Sequence, residues 1–79
     1  MNLEETIDLM LSENYEDRFC AEIYQLNYRV KKLEDIINNY NNLNFVPKTP
    51  KILLQQQLAS MYSYLALLIL RSDYEEVAI

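Results

Sequence analysis

The sequence has no histidine and no glycine, and its 79 residues include a single cysteine and two prolines. Each shortage excludes something. Without histidine there is no Ser-His-Asp or Cys-His arrangement and no ordinary proton shuttle near neutral pH. Without glycine neither a P-loop nor a dinucleotide-binding fingerprint can form, because their tight turns need a residue lacking Cβ. Cys20 alone permits no disulfide within the chain and, with no histidine beside it, no structural zinc site. The residues therefore predict a protein that is not an enzyme and carries no metal or cofactor.

Size restricts the chain further. A chain of 79 residues makes one domain, here residues 1–79, and buries only ~60% of the surface its unfolded form exposes. With disulfides and metal excluded, self-association is the remaining source of stability. The N-terminus has no basic segment followed by a small-residue cleavage pattern, so a cytoplasmic location is expected. The most apolar run, residues 58–70, is shorter than a bilayer span and contains Ser60 and Ser63, so no membrane partner is expected.

What the chain does have is heptad spacing. Residues 1–13 are predicted to form a short acidic helix with Leu3, Ile7, Met10 and Leu11 on one face. It is too short to hold alone in water and must pack on something. Asn14 reads as the N-cap of a long helix over 14–42, with Glu16 and Asp17 in its first turn. Phe19, Ile23, Leu26, Val30, Leu33, Ile37 and Tyr40 are spaced alternately by four and three, an unbroken heptad seam. Asn38, Asn39, Asn41, Asn42 and Asn44 end that helix, and Pro47 marks a loop over 43–49. Thr49 and Pro50 read as the N-cap and first residue of a second long helix over 50–74. Leu54, Leu58, Met61, Leu65 and Leu68 give it a matching seam.

The fold class that follows is all-α: a long antiparallel two-helix hairpin with a short N-terminal helix. Tyr62, Tyr64, Ala66, Leu67, Ile69 and Leu70 lie off the second seam, making that stretch apolar nearly all round. A helix hydrophobic on every side is buried on every side. The extra cover must come from the N-terminal helix or from another subunit, so a homo-oligomer is expected.

Charge is sorted along the chain. Residues 1–17 hold six acids and no lysine or arginine, residues 18–71 hold all seven basic residues, and residues 72–79 add Asp73, Glu75 and Glu76. One reading pairs acidic ends with the basic hairpin; the other places an anion site on the hairpin. Candidates for the anion site are Arg18, Arg29, Lys32 and Arg71, with Lys48 beside the start of the second long helix. Tyr24, Tyr28 and Tyr62 offer flat faces on which a base could stack, although tyrosines also commonly line subunit interfaces. A pI near 4.5 fits a small enclosed anion better than long nucleic acid.

Arg18, Glu22, Gln25, Leu26, Arg29 and Leu33, then Phe45, Pro47 and Pro50, then Leu53, Leu54, Gln57, Leu58, Met61, Tyr64, Leu65, Leu68 and Arg71 carry a resemblance. Over its last two-thirds the chain resembles a family of short phage-encoded helical hairpin proteins. These are similar in turn to the anti-CBASS and anti-Thoeris sponges of phages, which assemble as multimers and hold cyclic nucleotide immune signals without cleaving them. The resemblance implies a homo-oligomer in the host bacterial cytoplasm that binds a cyclic dinucleotide or a cyclic ADP-ribose isomer between subunits. Arg18, Arg29, Lys32 and Arg71 would meet phosphates, and Tyr24, Tyr28 and Tyr62 would meet bases. The sequence departs from the hairpin family at Tyr62, Ala66, Ile69 and Leu70, where charged residues are usual. The alternative is an acidic protein-binding inhibitor of a host defence protein, anti-CRISPR-like or a nucleic-acid mimic, resting on the six acids of residues 1–17.

Overall fold

The computed structural model describes residues 3–78, and within them the chain is helical with no strand. Three α-helices follow one another: α1 over Ile7–Met10, α2 over Tyr15–Asn38 and α3 over Lys51–Tyr74, with a 3-10 turn at Tyr40–Asn42. The two long helices pack antiparallel along the seams that the heptad spacing predicts. Phe19, Ile23, Val30, Leu33 and Ile37 are buried on α2, and Leu54, Leu58, Met61, Leu65 and Leu68 are buried or half-buried on α3.

The helix ends follow local chemistry. The Asn14 side chain accepts a hydrogen bond from the Glu16 N–H at 2.8 Å, which fixes the start of α2. At the other end the Asn39 amide donates to the Asp35 carbonyl at 2.8 Å, and α2 stops there, short of residue 42. The start of α3 lies one residue later than the Thr49–Pro50 pair suggests. Pro50 occupies the N-cap position, and the Thr49 carbonyl accepts from the Tyr40 hydroxyl at 2.8 Å, tying the loop to the end of α2.

The N-terminal segment is less helical than its spacing implies. Only Ile7–Met10 forms α-helix, preceded by turns at residues 3–6; Met1 and Asn2 of the expected helix lie outside the described residues. Its docking depends on side chains rather than on helix length. Thr6 is fully buried, its hydroxyl donates to the Leu3 carbonyl at 2.7 Å, and the Gln25 amide donates back to that hydroxyl at 3.0 Å. The same amide also reaches the Met10 sulfur. Ala21, completely buried, lies one turn from Gln25 on the same side of α2. The N-terminal segment thus covers α2, and α3 receives no comparable cover from it. Tyr62, Tyr64, Leu67, Ile69 and Leu70 remain exposed in the single chain. The Cα trace measures 42 × 24 × 15 Å.

The tail closes the open end of the hairpin. The Val77 N–H donates to the Ser72 carbonyl at 2.9 Å and the Glu76 N–H to the Asp73 carbonyl, a Schellman cap on α3. Val77 turns back into the core beside Phe19, Ile23 and Leu68. The Cys20 thiol donates to the Ala78 carbonyl at 3.3 Å, and burial, with Asp17 and Glu16 nearby, raises its pKa. Glu76 adopts φ +57°, the left-handed conformation that glycine usually takes at this place in the cap. Replacing Glu76 by glycine removes a Cβ penalty of about 1 kcal/mol, partly offset by glycine's unfolded-state entropy. Glu76→Gly is therefore expected to raise the melting temperature by a few degrees in a calorimetric scan; a lowered value would show that the cap is not formed.

Candidate functional site

A groove runs along one edge of the hairpin at mid-length. Arg29, Lys32, Leu33 and Ile36 line it from α2, and Gln57 and Met61 face them from α3. The α2 residues stand at i, i+3, i+4 and i+7, which is one helical face, and the α3 pair stands at i and i+4. Antiparallel packing explains the meeting, since residues whose numbers add to about 90 pass each other across the seam. Leu33 is buried as the floor, Ile36 and Met61 are half-buried walls, and Arg29, Lys32 and Gln57 form the exposed rim.

The rim is positive. An ion pair joins Arg71 to Glu75, and among the described residues Arg29 and Lys32 stand on the rim without one. An apolar floor under two free cations, with an amide that can both donate and accept, suits a planar, partly apolar molecule bearing negative charge. The groove is about 240 Å³ and open, below the ~300–1,000 Å³ usual for small-molecule sites.

The other expected residues are placed elsewhere. Arg18 donates to the Ser12 carbonyl at 2.9 Å and so closes the turn ahead of α2. Arg71 is engaged three times over: it pairs with Glu75 at 2.9 Å, donates to the Tyr15 hydroxyl at 2.9 Å, and sits 5.0 Å above the Phe19 ring. Tyr15 in turn donates to Glu75 at 2.6 Å. The Glu34 carboxylate near Tyr62 raises the tyrosine's pKa, and Glu34 lies roughly half a helical turn round α2 from Arg29 and Lys32. Tyr62 therefore faces the opposite edge. Tyr64, not singled out by the sequence reading, donates to Glu22. Tyr24 is half-buried and Tyr28 exposed, and neither lines the groove; Lys48 is exposed in the loop before α3. Of the eight expected residues the structure brings together Arg29 and Lys32.

Gln57, Met61, Leu33 and Ile36 are the groove residues that sequence reasoning missed as site residues. Leu33 and Met61 read as seam positions, which they also are. The available signal was the antiparallel register, which sets Gln57 and Met61 opposite the Arg29–Ile36 face.

Two long helices packed antiparallel and joined by a loop place the chain in the helical-hairpin class. The chain belongs to the Sequestin family, whose model matches residues 13–74. That match takes in α2, the loop, α3 and every groove residue, and it leaves α1 outside. The family name points to sequestration of a molecule. No curated protein and no solved structure matches the chain.

The Arg71 cluster has a consequence for stability. Hydrogen bonds from Tyr15 and then Arg71 hold the Glu75 carboxyl below its usual value of 4.5. A depressed carboxylate stabilises the fold above its unfolded pKa, and that contribution fades as pH falls through the lower folded value. Glu75→Gln is expected to melt below the wild type at neutral pH, with the gap closing as the pH is taken below 4.5. A gap constant with pH would assign the loss to packing.

Proposed function

We propose that the protein is a phage anti-defence sponge. It binds a cyclic nucleotide immune signal, either a cyclic dinucleotide or a cyclic ADP-ribose isomer, and holds it without cleaving it. Family membership supports sequestration, and the unpaired Arg29–Lys32 rim over an apolar floor supports a small anionic ligand with flat apolar faces. The observation that carries the reading is the groove itself. Sequestration asks for tight binding and no bond-making, so it places no demand on a chain that lacks histidine.

The groove's size supports a site completed by a second subunit. Two unit charges 4 Å apart attract by about 1 kcal/mol in water and about 4 kcal/mol at the effective dielectric near a protein surface. Closing the groove with another chain moves Arg29 and Lys32 from the first regime toward the second. In this reading the protein is a homo-oligomer in the host bacterial cytoplasm, is not an enzyme, and takes neither long nucleic acid nor membrane as its partner.

Arg29→Ala tests the site. Loss of a charge-assisted contact inside a closed site costs about 2–5 kcal/mol, or roughly 30-fold to several thousand-fold in affinity. Titration calorimetry with cyclic dinucleotides and cyclic ADP-ribose isomers is expected to show that loss while the particle mass stays that of the wild type. Affinity left intact would remove Arg29 from the site. Ligand released by heat from the wild-type complex is expected to run unchanged on chromatography; a linear product would replace sequestration with hydrolysis.

A second reading, an acidic inhibitor that occupies a basic surface of a host defence protein, draws on Glu4, Asp8, Glu13 and Glu16, all exposed on and around α1. Deleting residues 1–12 and replacing Glu13 and Glu16 by glutamine separates the two. The sponge keeps its nucleotide affinity without them, whereas the inhibitor loses its partner.

A further inference from the structure

Residues 52–70 contain no charged side chain, although α3 is covered on one face only. The uncovered face follows Ile52, Gln56, Ala59, Ser63, Leu67, Leu70 and Tyr74, at helical spacing opposite the seam. Ile52, Leu67, Leu70 and Tyr74 are 60%, 59%, 54% and 89% exposed. The serines there are polar in name only. Ser60 donates to the Gln56 carbonyl and Ser63 to the Ala59 carbonyl, each at 3.2 Å, so both hydroxyls spend their protons on their own helix. The strip is apolar at both ends and narrow in the middle, and α1, the one other element available, is committed to α2.

We infer that this face docks on the same face of a second copy, α3 antiparallel to α3, about a two-fold axis at Ser63. Charge sets the direction. Lys48 and Lys51 stand at the start of α3, and Asp73, Glu75 and Glu76 at its end. Antiparallel pairing brings each chain's lysines to its partner's carboxylates and opposes the two helix dipoles, whereas parallel pairing stacks like on like. Shape sets the register. An axis at Ser63 puts Ala59 opposite Leu67 of the partner and Ile52 opposite Tyr74 of the partner, so bulk meets a gap in the middle and apolar meets apolar at the ends.

By length and composition α3 also suits a lipid bilayer. Burial in lipid would carry Gln55, Gln56 and Gln57 into hydrocarbon beside an α2 that keeps its own charges, whereas docking on a second copy covers Gln56 alone of the three. The inference rests on the self-association part of the proposed function and not on its ligand, because Ala59, Ser63 and Leu67 line no part of the Arg29 groove.

Site-directed cross-linking tests it on the full chain with Cys20→Ser as background. With a short bis-maleimide, Ser63→Cys is expected to cross-link to itself. Gln56→Cys alone is expected not to, and to do so when mixed with Leu70→Cys. Self-linking of Gln56→Cys would overturn the antiparallel register. Ser63→Arg is expected to run at the 9.4 kDa of one chain with a weakened helical spectrum. If that variant unfolds, the cross-links alone decide. A multimer that survives Ser63→Arg would overturn this face and leave self-association standing, while a 9.4 kDa wild type would overturn both. Flotation of the wild type with phosphatidylcholine vesicles would overturn the protein partner in favour of lipid.

Discussion

Everything in this structure depends on the seam between α2 and α3, and the seam is shared unequally. α2 is covered twice, by α3 along Phe19–Ile37 and by the N-terminal segment at Gln25. α3 is covered once. Each large aliphatic side chain buried is worth about 1.5–3 kcal/mol, and α3 leaves several of them about half in water. Burial on a single face is a thin margin for a chain of this size. In the proposed assembly the second copy supplies the missing cover, and fold and association become one equilibrium.

The same seam builds the groove. Its antiparallel register sets Gln57 and Met61 opposite Arg29, Lys32 and Ile36, so the groove residues are held by two rigid helices rather than by a loop. The other arginines are used structurally. Arg18 closes the turn before α2, and Arg71 clamps the tail through Glu75, Tyr15 and Phe19. That division leaves Arg29 and Lys32 together at one place on the hairpin edge. A sequestering protein needs such a place and nothing reactive in it, which agrees with membership in the Sequestin family.

Much of the fold was legible in the residues, because heptad spacing and asparagine caps are local signals. The seam from Phe19 to Ile37, the Asn14 cap and the 43–49 loop could each be read within a few residues of sequence. The tail could not: Val77 enters the core because Glu76 accepts a left-handed φ that nothing in its side chain announces. The site was legible only in part for a similar reason. Arg29 and Lys32 share an α2 face, but which tyrosines join them depends on α3's rotation, and that rotation sends Tyr62 to Glu34 on the other edge. Arg18 and Arg71 were indistinguishable from ligand-binding cations by charge alone, since their partners Ser12, Tyr15, Phe19 and Glu75 are set by how the turn and the tail close around them.

If one chain is an incomplete structure, its stability must depend on how many copies are present. Calorimetric melting over a hundredfold range of protein concentration measures this without any ligand or substitution. Expected is a melting temperature that climbs steadily with concentration, as unfolding and dissociation occur together. A melting temperature independent of concentration would contradict the claim that a second copy completes the fold.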